Sequence, residues 1–125
     1  MNTEAFVRAY TESRNGANYF QRHIFNRHFL SSDGVVECAN AGCHWLVDKL
    51  ATELPAEFKK RPGEYMCIVK VVVANSKAEI IGEFRDDDPN PYRSQVDYTD
   101  MPDGTWTFFV SVNHTDLVLI LPTEY

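Results

Sequence analysis

Within SSDGVVECANAGCHWLVDKL (residues 31–50), Cys38, Cys43 and His44 fall inside seven positions. Two thiols and an imidazole so close together have three uses: ligands of a metal knuckle, a thiol–imidazole catalytic pair, or apolar filling of a helix. Structural zinc asks for four N or S ligands, usually a close C-x2–4-C pair with a second pair elsewhere. Cys38 and Cys43 are five apart, which on a helix is about 140° of rotation, and His44 diverges from Cys43 by about 100°. His23, His28, Cys67 and His114 offer no second knuckle. A nucleophilic cysteine needs a base beside it and an electropositive, partly open setting. His44 reaches Asp48 at i+4 instead, a helix-surface pair. Packing is the economical reading of the stretch. A small metal- or thiol-dependent enzyme using Cys38, Cys43 and His44 is the alternative. There is no Gly-rich phosphate loop, no G-x-S-x-G and no H-E-x-x-H.

A second constellation is FRDDDPNPYRSQVDYTDMPDGTW, residues 84–106. Asp86, Asp87, Asp88, Asp97, Asp100 and Asp103 stand there against Arg85 and Arg93, with Tyr92, Tyr98 and Met101 among them. Carboxylates solvated in a Pro-containing loop are not the buried, shifted pair that acid–base catalysis needs. Such a run is either a plain solvated face or a contact surface. As a surface, the tyrosines and Met101 would anchor while the aspartates steer a Lys/Arg-rich partner. Carboxylates so placed can also sit where phosphates would lie in a nucleic-acid groove.

The elements that must position these residues read as α+β. In TEAFVRAYTES, Ala5, Phe6, Ala9 and Tyr10 form one helical stripe, with Thr3 as N-cap and Asn15-Gly16 as stop. Residues 14–30 mix both periods, and a short helix running into an extended piece is expected. Asp33-Gly34 is a turn signal that can also open a helix, and from about Val36 a helical pattern carries Trp45, Leu46, Leu50 and Leu54, which Pro55 is expected to end. Gly42 inside it costs about 1 kcal/mol against Ala, the mark of close packing or a kink. YMCIVKVVVA and AEIIGEFR flank an Asn75-Ser76 turn as a β-hairpin. TWTFFVSV alternates like a half-buried strand, and NHTD turns into LVLILP. One domain over 1–125 is expected, with N-terminal helices packed on an antiparallel sheet of about four strands, a two-layer sandwich.

Composition bounds the rest. The chain has 125 residues, 44% of them hydrophobic, which is globular. No apolar run approaches the roughly 20 residues of a membrane span, and MNTEAFVRAY lacks signal-peptide character. Three cysteines read as reduced thiols of a cytoplasmic protein. The net charge of −6 is uneven: residues 1–63 hold seven acidic and eight basic side chains, residues 64–125 eleven and four. That acidic half repels phosphates, so direct nucleic-acid binding is disfavoured and a basic protein partner favoured.

Two stretches resemble an uncharacterised family of small proteins carried by bacterial phages and plasmids. LSSDGVVECANAGCHWLVDKLA is similar to its Asp-Gly-Val…Trp-Leu-x-Asp element, and VDYTDMP…LVLILPTEY to its Tyr-Thr-Asp-x-Pro…Leu-Pro-Ser/Thr-Glu-Tyr ending. Asn18-Tyr19-Phe20 with His23 resembles an upstream Tyr-Tyr-x-His element. The resemblance points to Asp33, Gly34, Trp45, Asp48, Tyr98, Thr99, Asp100, Pro102, Pro122, Glu124 and Tyr125 as motif residues. It implies no activity and no cofactor. The family carries Ala-Tyr where this chain has Cys43-His44, which argues against a shared thiol or metal site. A mobile-element origin implies a cytoplasmic, non-enzymatic protein that occupies a basic surface of a host complex, such as an anti-CRISPR or other counter-defence protein acting on a CRISPR–Cas effector subunit. A homodimeric accessory protein is the further expectation.

Overall fold

The computed structural model describes residues 1–125. Helix α1 spans Thr3–Thr11, and its cap lies one residue earlier than expected: Asn2 Oδ1 accepts from the Ala5 N–H at 3.0 Å. The stripe behaves as the spacing predicts, with Phe6 and Ala9 buried. Residues 14–30 hold no helix. They form strands β1 (Phe20–Arg22) and, with its neighbours, β2 (Phe29–Ser32), paired antiparallel with Arg22 opposite Leu30.

Ser32 caps helix α2 (Asp33–Cys38), its Oγ accepting from the Val35 N–H at 3.2 Å. The helix breaks over Ala39–Cys43, where Gly42 takes φ +134, and helix α3 (His44–Lys59) leaves in a new direction. Gly42 is required there, since a side chain at that φ would be strained and would meet Met1 at 2.9 Å. Pro55 does not end α3; it lies inside it. A proline cannot donate to the carbonyl four residues back. That carbonyl, Ala51 O, accepts instead from Asn26 Nδ2 at 3.0 Å, so the helix continues without an orphaned acceptor.

Strands β3 (Met66–Ala74) and β4 (Lys77–Glu83) form the expected hairpin. Asn75 and Ser76 both have positive φ, the tight turn whose twist matches a two-residue hairpin. Strand β5 (Tyr92–Val96) lies within the segment read as a loop. Strands β6 (Gly104–Asn113) and β7 (Asp116–Ile120) follow, and the chain closes in a tight 3-10 turn over Pro122–Glu124. The sheet has seven strands rather than four, in the order β1-β2-β7-β6-β3-β4-β5. All neighbours are antiparallel except β2 and β7, which run parallel with Phe29 beside Leu117.

Alternation separates the two faces. Val69, Val71, Ile80, Phe108, Val110 and Leu119 join Phe6, Leu46, Leu50 and Leu54 of the helices in one buried cluster. The intervening residues, Ile68, Ile81, Phe109, Val118 and Ile120, remain only half-buried on the other face. No helix is long and apolar enough to cross a membrane.

Candidate functional site

The cysteines and His44 do not form a shared site. Cys38, Cys43 and Cys67 are free and buried, whereas His44 is exposed. The Cys43 thiol donates to Cys38 O at 3.2 Å, across the Gly42 break rather than along one continuous helix. Burial pushes the Cys43 and Cys67 thiols up to about 12 and raises Cys38 as well, so thiolate is suppressed at all three. No cluster of three or more His, Cys, Asp or Glu side chains is arranged to hold a metal ion.

Buried polar groups gather elsewhere, where the chain's last turn meets α2. Glu124 is 7% exposed. One of its carboxylate oxygens accepts from Ser32 Oγ and from the Leu121 N–H at 2.9 Å; the other accepts from the Gly34 N–H at 3.1 Å. A Cβ on Gly34 would lie 2.7 Å from the carboxylate carbon, so glycine permits this close approach. The neighbouring Asp33 accepts from the backbone and side-chain N–H groups of Asn18, at 3.1 and 3.3 Å. Burial pushes the Asp33 carboxyl up, but the Asn18 donors and the Glu124 carboxyl outweigh it and hold it below the usual carboxylate range. This seam is closed: Ser32 has no exposure and Asp33 only 6%. Apart from the buried Thr123 hydroxyl, which has no partner, its donors and acceptors serve one another, and it joins sequence elements 90 residues apart.

The loop between β1 and β2 is clasped just as firmly but points outward. His23 Nδ1 accepts from the Phe25 and Asn26 N–H groups at 3.2 and 3.1 Å. Its proton must then sit on Nε2, which donates to Asp48 Oδ1 of α3 at 2.8 Å. Held this way, the loop displays Ile24 and Phe25, 75% and 89% exposed. Sequence reasoning paired Asp48 with His44 at i+4, but the carboxylate is taken by His23 instead, which reaches it from the β1–β2 loop; two bare apolar residues within an Arg/His-rich segment were the available signal.

The acidic residues are not one patch. Asp86, Asp87 and Asp88 follow β4, and Asp97, Tyr98, Asp100, Met101 and Asp103 follow β5. Five residues of strand hold the two groups roughly 16 Å apart. Asp88 is spent on its own loop, accepting from the Phe84 and Asn90 N–H groups. Tyr92 and Met101 are corrections to the expected surface, being 6% and 3% exposed. Tyr92 alternates inward in β5, where its hydroxyl donates to Glu53 of α3 at 2.7 Å. Asp86, Asp87, Asp97, Tyr98, Asp100 and Asp103 do face solvent, and Asp100 is engaged by the Met1 ammonium, which lowers its carboxyl pKa.

The 97–103 segment alternates inside and out. Thr99 and Met101 are 3% exposed; the Thr99 N–H donates to Ser76 O at 2.8 Å, and Thr99 Oγ1 accepts from the Met101 N–H at 3.1 Å. Trp106 Nε1 donates to Pro102 O at 2.8 Å. Between these pins Tyr98 stands 73% exposed beside Asp97.

No curated protein matches the chain, and neither does any solved structure. The sequence profile of a family of unknown function (DUF6876) matches residues 7–125, and the chain belongs to that family.

Proposed function

We propose that this chain is a non-enzymatic protein-binding module that seats its 97–103 segment on a basic surface of a host complex, and that the surface it blocks is the nucleic-acid-binding cleft of a CRISPR–Cas effector. The observation that carries the reading is the alternation of that segment. Thr99 and Met101 pin it from below while Tyr98, Asp97 and Asp103 remain free above. A rigid aromatic flanked by carboxylates loses little entropy on binding and is steered toward Lys and Arg. The resemblance to mobile-element proteins supplies the target class. Asp86 and Asp87, at the other end of β5, extend the acidic field without belonging to the same contact.

Purified chain titrated onto CRISPR–Cas effector subunits at about 50 and about 250 mM salt tests the proposal. Binding that weakens as salt rises, and is lost in Asp97→Lys with Asp103→Lys, is the expected result. Absence of binding to every effector, or an affinity indifferent to salt, overturns it.

A further inference from the structure

We propose that the sheet face turned away from the helices is a self-association surface, on which a second copy of this chain packs face to face. Register places its apolar residues side by side. Leu30 pairs with Val118, Ile120 with Phe109, and Phe109 with Ile68, while Ile81 stands on the neighbouring strand. These six are half-buried, so a row of aliphatic and aromatic surface runs across five strands with no helix over it. Tyr125, 80% exposed, lays its ring edge on Phe109 at 5.2 Å and widens the row; Phe20 and Val72 lie at its margins, 47% and 38% exposed. Apolar surface continuous over this many strands marks an interaction site rather than scattered exposure.

Charge selects the occupant. Pairing and alternation place Arg22, Lys70, Lys77 and Arg93 on this face with Glu79, Glu83 and Asp116, and Asp97 lies at its edge beside Lys77. Four cations against four carboxylates leave it neutral, although the chain as a whole carries −6. Three cations are matched within the face: Arg22 with Asp116 at 3.5 Å, Lys70 with Glu83 at 3.1 Å, and Arg93 with Glu79 at 3.6 Å. Two copies of an acidic chain repel through most of their surfaces, but not through this one. Paired charges around a two-fold axis can also exchange partners across it, which makes the face compatible with itself. Size agrees. Seven strands about 4.8 Å apart and about six residues deep give roughly 650 Å² per copy. Two copies bury roughly 1,300 Å², at the lower end of stable interfaces, in the aligned sheet-on-sheet packing of β-sandwiches.

Light scattering and sedimentation over a dilution series test the face. The wild-type chain should approach twice its 14.3 kDa mass at high concentration, with an association that added salt does not weaken. Ile120→Lys should hold the monomer mass at every concentration. Because that change replaces a half-buried aliphatic side chain, Lys70→Glu serves as the second variant: its side chain is 44% exposed, it exchanges a cation for an anion in each copy, and it should weaken association at least tenfold at low salt, with recovery as salt is added. Circular dichroism melts establish that both variants are folded. Glu4→Lys, on helix α1 over the opposite face, should leave the dimer intact, which separates this surface from a general effect of charge. A wild-type chain that remains monomeric throughout overturns the proposal and gives the face to a different protein. Folded Ile120→Lys and Lys70→Glu proteins that dimerise like wild type overturn it as well.

Discussion

The seam at Glu124 and the 97–103 segment are made of the same materials: carboxylates, a hydroxyl and a proline-bounded turn. They differ in where the carboxylate lone pairs go. At the seam, Glu124 accepts from Ser32, Gly34 and Leu121, and Asp33 accepts from Asn18, all inside the protein. In the 97–103 segment the internal bonds use Thr99, Met101 and Pro102, and the carboxylates of Asp97 and Asp103 are left to solvent. Both regions fall within the span that matches the family, so the two are expected to answer mutation in opposite ways. The seam should govern folding, and the segment should govern recognition.

The largest effect is expected at the seam. Glu124→Ala leaves three buried donors without an acceptor and should cost about 3–5 kcal/mol in urea unfolding. Gly34→Ala should cost about 3 kcal/mol by pushing a methyl into the same carboxylate. A loss below about 1 kcal/mol in both would erase the distinction between the regions. Acid should strike the seam next. Asp33 titrates below the unfolded carboxylate value of about 3.9, so its contribution is complete above that pH and disappears as pH falls through the lower native value. The unfolding midpoint should therefore drop from about pH 4 downward, and Asp33→Asn should flatten that limb. Thr99→Ala sharpens the contrast within the segment itself. It should cost only about 1 kcal/mol, yet weaken partner binding by freeing the Met101 N–H and loosening the turn. Smallest in stability is Tyr98→Ala, expected within about 0.5 kcal/mol of wild type by thermal melting. Its effect should instead be read in effector binding, and an unchanged affinity there would remove the segment from the interface.

Strong periodicity with good turn chemistry was readable in the chain. Helix α1 and the β3–β4 and β6–β7 hairpins follow their apolar spacing, and Asn75-Ser76 and His114 take the positive φ of tight turns. What could not be read has specific causes. All three residues of β1 are exposed, so there was no apolar pattern to find. Strand β5 places Ser94 inward between Tyr92 and Val96 and follows two prolines, which hides its alternation inside a loop-like composition. The extent of α3 depended on a side chain 29 positions before Pro55, and the parallel β2–β7 pair joins residues almost 90 apart. For the candidate surface, the charges of 84–103 were evident from composition. Their division between two ends of a strand, and the burial of Tyr92 and Met101, were not.

The Asn26 amide on the Ala51 carbonyl has a dynamic consequence. A helix that passes through a proline ordinarily opens at that point first. Here its stitch belongs to the β1–β2 loop, so the turns of α3 beyond Pro55 should open together with that loop rather than fray from their own end. Amide exchange at Lys59 and Lys60 would then report on a contact made on the far side of the helix.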